Sequence, residues 1–157
     1  MKTYLHLLIL MLLPLFVSAQ FYSGFDIQTV NASKIESARG GNLNSGYSFK
    51  KFYTGIGGGV LFFNDKRPYI PVFAEIGTNS MLHASFRLGY GIYKGVGYPI
   101  SSDKENINGG AYSSMKLGVS IKLNEASILI FAHDTYAYFG STSKNFYGFG
   151  IGMNFKY

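Results

Sequence analysis

Residues 82–94 read Leu82-His83-Ala84-Ser85-Phe86-Arg87-Leu88-Gly89-Tyr90-Gly91-Ile92-Tyr93-Lys94. The even positions hold Leu82, Ala84, Phe86, Leu88, Tyr90 and Ile92; the odd ones hold His83, Ser85, Arg87, Gly89, Gly91 and Tyr93. A helix would mix the two sets, whereas a strand sends alternate side chains to opposite faces. The stretch therefore reads as a strand with one oily and one polar face. Alternation alone does not say which face points inward.

The same period recurs along the chain. Ala111, Ser113, Met115, Leu117, Val119, Ile121 and Leu123 oppose Tyr112, Ser114, Lys116, Gly118, Ser120 and Lys122. Tyr147, Phe149, Ile151, Met153, Phe155 and Tyr157 oppose Gly148, Gly150, Gly152, Asn154 and Lys156. Weaker patterns cover Phe21 to Val30, Phe52 to Phe63, Tyr69 to Thr78 and Ala126 to Tyr138, with a short stretch around Tyr47 and Phe49. Together they predict eight strands. The polar face is rich in glycine, as at Gly55, Gly57 and Gly59, and no helical pattern follows these glycines to make a phosphate-binding loop.

Turn lengths supply an independent check, because they fix which parities share a face. A two-residue turn at Lys50-Lys51 pairs Phe49 with Phe52, and one at Asn124-Glu125 pairs Leu123 with Ala126. Asn79-Ser80-Met81 pairs Thr78 with Leu82. All three keep the oily sets on one face. They also set Glu75 opposite Ser85 and diagonal to Arg87, and His133 opposite Lys116. Linkers near 32–41, 64–68, 95–109 and 139–144 are longer than these turns. Short turns at one end and longer loops at the other are the asymmetry of a membrane barrel, whose short side is periplasmic.

Met1-Lys2, an apolar run from Leu5 to Val17 and the sequence Val17-Ser18-Ala19 form an export signal, with cleavage expected after Ala19. The run is about 13 residues, too short to span a bilayer as a helix, which takes ~20. Two domains of sequence are thus expected: a signal peptide over 1–19 and a barrel over 20–157. The 157 residues include no cysteine, which excludes disulfides, thiolate metal sites and a cysteine nucleophile. Net charge is +6, but the 14 basic residues are scattered, an arrangement that argues against a nucleic-acid partner.

On these residues the chain resembles the small bacterial outer-membrane β-barrel proteins, the eight-stranded outer-membrane protein A and X types. In that group the last strand carries an insertion signal running polar, x, Gly, x, x, apolar, x, aromatic. Gly152, Phe155 and Tyr157 occupy its glycine, apolar and aromatic places, while Gly150 stands at the polar place, a departure. The resemblance implies an all-β, eight-stranded antiparallel up-and-down transmembrane barrel in the outer membrane of a Gram-negative bacterium. It further implies outer-membrane lipid and the barrel-insertion machinery as partners, and a monomer.

The polar face carries Asp26, Glu75, His83, Arg87, Lys116 and His133. Such groups can be an acid–base site or the ion pairs of an interior just wide enough for its own side chains. The second reading is preferred, because buried charge needs partners. His133-Asp134 is no hydrolase pair, since neighbours on a strand diverge. Leu129 and Phe131 point toward the polar face, against the pattern. No metal constellation or cofactor motif is visible. The expected function is a structural or surface-interaction barrel, porin-like in build but with a filled, non-conducting interior, and not an enzyme. Gly95 to Asn108 is the candidate contact segment, or a plain connector. The alternative is a soluble exported β-barrel or sandwich holding a small apolar ligand.

Overall fold

The alternating runs pair into strands whose two faces differ as the pattern requires. The computed structural model describes residues 19–33, 36–63, 68–95, 106–139 and 142–157. It holds β1 (Gln20–Ser33), β2 (Glu36–Ser48), β3 (Phe52–Phe63), β4 (Pro68–Thr78), β5 (Leu82–Gly95), β6 (Asn106–Leu123), β7 (Ala126–Phe139) and β8 (Thr142–Lys156). Each strand pairs antiparallel with the next, and β8 returns to β1, closing the barrel. Closure leaves no sheet edge, so every strand has a hydrogen-bonded neighbour on both sides. The export segment and the neighbourhood of Asp103 lie outside the described residues.

The oily face is the outer one. Leu82 is 76 % exposed, Phe149 71 % and Ile56 70 %, while Asp26, Glu75, Arg87 and Lys116 are buried within the wall. A soluble barrel would hide these apolar side chains. Aromatic residues gather toward both ends of the wall. Phe21 contacts Tyr47 and Tyr157 at the short-turn end, and Tyr90, Tyr136, Tyr138 and Tyr147 face outward toward the other. Such girdles suit the two membrane–water boundaries.

Two of the short turns have the expected register. Phe49 N–H donates to Phe52 O at 2.7 Å, and Leu123 pairs with Ala126 across Asn124-Glu125. Asn124 has a φ of 52°, the left-handed conformation that a tight hairpin demands and asparagine tolerates. The third turn differs from the expectation by two residues. Glu75 lies opposite Arg87 and Gly77 opposite Ser85, so Thr78 does not pair with Leu82. Its hydroxyl instead accepts a hydrogen bond from Ala84 N–H at 3.0 Å, widening the turn, while Leu82 pairs with Val119 of β6. The parity survives, and the shift brings Arg87 directly to its carboxylate.

Asn79 joins this turn to its neighbour. Its side-chain amide donates to Ser48 Oγ at 2.9 Å and to the carbonyls of Phe49 and Phe52, and its backbone N–H donates to Lys51 O.

The linkers are shorter than expected. Residues 36–41 belong to β2, pairing with β1 and, from Ala38 on, with β3. Gly95 pairs with Asn106, and Tyr93 with Asn108, so the ends of the 95–108 segment are wall and only 96–105 connect β5 to β6. Phe139 pairs with Thr142. The difference in length between the two ends therefore rests chiefly on the β5–β6 connection.

Inner-face glycines make room for rings on adjacent strands. Phe73 lies between Gly57 and Gly89, and Phe131 between Gly118 and Gly150. A Cβ at Gly150 would collide with the Phe131 ring. This is why Phe131 can point inward against the pattern. Gly150→Val is expected to cost about 1–3 kcal/mol through overpacking, and Phe131→Leu in the same chain should recover part of it. An undiminished penalty in the double variant, measured by urea titration of the folded fraction, would detach the glycine from the ring.

Candidate functional site

Four strands bring two acids and two bases together inside the wall. The Nη2 of Arg87 (β5) lies 2.7 Å from Asp26 Oδ2 (β1) and 3.2 Å from Glu75 Oε2 (β4). Lys116 Nζ (β6) lies 2.5 Å from Asp26 Oδ2. All four side chains are nearly without solvent contact. At such depth an unpaired charge is costly, and each ion here faces an opposite one.

Neutral groups complete the carboxylates' partners. Asn42 Nδ2 donates to Asp26 Oδ1 at 2.7 Å, Asn44 Nδ2 to Glu75 Oε2 at 2.7 Å, and the Tyr53 hydroxyl to Glu75 Oε1 at 3.0 Å. The cations rest on rings: Arg87 Cζ is 4.3 Å from the Phe73 centroid, and Lys116 Nζ 4.3 Å from that of Phe131. These are the two rings held between paired glycines. Glycine removes the Cβ, the ring takes the vacated space, and its face meets a cation, a favourable arrangement away from water.

The histidines lie toward opposite ends of this cluster. His83 stacks on Tyr53 with centroids 5.8 Å apart, its Nε2 3.4 Å from the Tyr53 hydroxyl. His133 Nε2 lies 3.1 Å from the Thr29 carbonyl. A carbonyl only accepts, so Nε2 carries a proton. Nδ1 lies 3.1 Å from Thr135 Oγ1, which is 2.8 Å from Ser114 Oγ. Thr135 is fully buried and Ser114 2 % exposed, so these hydroxyls are closed to bulk water.

Asp134 is exposed on the outer face, paired in register with Met115 and Tyr147, away from the His133 ring. Ser127 and His133 share the inner face but lie six residues apart, roughly 20 Å along a strand. Gly152 sits inside opposite Asp26, while Phe155 and Tyr157 face outward. A Cβ on Gly152 would press on Asp26. The described residues contain no grouping of three metal-ligating side chains.

The sequence pointed to the ions and to the inward turn of Phe131, but not to Asn42, Asn44, Tyr53 and Phe73. The inward parity of Tyr53 and Phe73 was available. The placement of glycines on either side of a ring was not, because it is written on other strands.

An oily exterior around a charge-paired interior is the build of a transmembrane β-barrel. No protein-family model matches the chain, and no curated protein matches it. Solved structures do. The N-terminal β-barrel domain of Pseudomonas aeruginosa OprF superposes with a TM-score of 0.55 at 14% identity, covering 87% of this chain and 99% of that one. Neisserial surface protein A gives 0.59 at 11% identity, covering 89% and 97%. The chain shares the fold of these small outer-membrane barrels.

Proposed function

We propose that the chain is an integral outer-membrane barrel with a plugged, non-conducting interior, acting structurally or through contacts at the mouth opposite its short turns. The single observation that carries the reading is the inverted polarity of the wall, with large apolar side chains outside and paired ions inside. The interior at the level of Asp26, Arg87 and Lys116 is occupied by side chains held to one another, which supports a closed lumen. In this reading the chain is a monomer without catalytic activity, exported and inserted through its terminal strand, with the short turns in the periplasm.

Membrane fractionation and detergent refolding test it. The protein is expected in the outer-membrane fraction, with faster gel mobility unboiled than boiled, and no stable current steps in planar bilayers. Recovery as a soluble protein without detergent would remove the membrane reading; large, stable steps would remove the plugged one. A separate topology test inserts an epitope between Asp103 and Lys104, in the connection from β5 to β6. Antibody is expected to label intact cells. Labelling only after the outer membrane is broken would invert the orientation.

A further inference from the structure

The mouth at the short-turn end contains a cavity of about 60 Å³, bounded on its inner side by Tyr53 and His83 next to the ion cluster. Lys122 of β6, Ser127 of β7 and Asn154 of β8 lie side by side in register across three strands. Lys156 follows Asn154 on the same face of β8, opposite Tyr22 of β1. All of these residues line the cavity.

Two lysines share this cavity with a single acidic residue, Glu125. Among the described residues no carboxylate forms an ion pair with Lys122 or Lys156. Glu125, on the same rim, meets Lys156 only through the backbone, as Lys156 N–H donates to Glu125 O at 2.8 Å. The two ammonium groups repel each other, and Lys156 is partly withdrawn from water. Inside the barrel each cation has a carboxylate and a ring. At the mouth neither lysine is ion-paired, and the cavity they line also holds Ser127 and Asn154, with Tyr22 and Glu125 beside them. Ammonium, hydroxyl and amide groups together make a cradle rich in donors, suited to a compact anion with several acceptor oxygens.

We propose that this mouth binds a phosphate-class oxyanion between Lys122 and Lys156, with Ser127 and Asn154 as supporting donors. The volume suits a group of phosphate size. Free phosphate and the headgroup of an anionic phospholipid carry the same chemistry, and the strand-end position of both lysines is within reach of either. The inference rests on the barrel wall alone, not on conductance or on which mouth faces the cell exterior.

The test is carried out on the folded barrel, with folding of every variant checked by its unboiled gel mobility. Inorganic phosphate is titrated into the detergent-solubilised protein while the backbone amide resonances of Ser127 and Asn154, present in every variant, are followed by NMR. In a second arm, phosphate-free buffer is used and nanodiscs of phosphatidylglycerol are compared with nanodiscs of phosphatidylcholine. A saturable shift is expected at both amides, its affinity weakened tenfold or more by Lys122→Gln with Lys156→Gln and retained by Lys122→Arg with Lys156→Arg. Lys50→Gln with Lys51→Gln, on the neighbouring turn, should leave it unchanged. A shift with inorganic phosphate identifies a free anion as sufficient; a shift confined to phosphatidylglycerol identifies the headgroup. No saturable shift in either arm overturns the proposal. So does equal weakening by the Lys50 and Lys51 pair, which would reduce the effect to general surface charge. Should the double glutamine variant not fold, Lys156→Gln alone is read by the same criterion.

Discussion

Arg87→Ala is expected to destabilise the folded barrel by about 3–5 kcal/mol, read as a large drop in its urea midpoint. The guanidinium bridges Asp26 and Glu75 at 2.7 and 3.2 Å. Without it Glu75 keeps the Asn44 amide and the Tyr53 hydroxyl but has no cation in contact. Lys51→Ala on the exposed turn removes the same formal charge and should change stability by about 0–1 kcal/mol. The penalty belongs to the orphaned carboxylate as much as to the lost contact. Arg87→Met combined with Glu75→Gln, which strands no charge, should therefore be closer to wild type than Arg87→Ala. Equal midpoints for Arg87→Ala and Lys51→Ala would contradict the interior ion cluster.

Deleting Phe155 to Tyr157 is expected to abolish assembly while leaving export intact. Phe155 pairs with Ser23 and with Ala126, Lys156 pairs with Tyr22, and Tyr157 N–H donates to Phe21 O at 2.9 Å. Their loss opens the seam between β8 and β1 at one end. Backbone groups left unpaired in a bilayer cost several kcal/mol each, and the Phe21–Tyr157 contact of the aromatic girdle goes with them. A normal yield of heat-modifiable barrel from the truncated chain would show that neither the seam nor the terminal signal needs these residues.

The strands that were plain in the sequence are those whose two faces differ most. In β5 the outward Phe86, Leu88 and Tyr90 alternate with Arg87 and Gly89, and the structure keeps that parity throughout. β2 was mostly hidden because its outward positions include Arg39, Gly41 and Ser45, which carry little apolar signal; its pairing is imposed by β1 and β3 on either side. The β4–β5 register was missed for a different reason. A side-chain hydroxyl, that of Thr78, serves the Ala84 N–H, and counting turn residues cannot see such a substitution. The ions themselves were visible as polar residues on one face. Their convergence depends on the curvature that brings β1 opposite β5 and β6, a property of closure and not of any local pattern.

That convergence has a consequence in time. Asp26 belongs to the first strand, yet Arg87 lies 61 positions further along the chain and Lys116 lies 90 positions further. Of its partners only Asn42 is in the adjacent strand. A nascent β1–β2 hairpin thus holds a carboxylate with one amide for company, and it has no reason to leave water until the fifth and sixth strands arrive. Neutralisation and circularisation become one event with a high entropic barrier, since distant segments must meet before either is rewarded. The reverse passage is obstructed by the same coupling: parting β1 from β8 would begin to draw water toward Asp26 before any other wall contact had been given up. Slow entry into the closed state and slow escape from it are two readings of one long-range carboxylate.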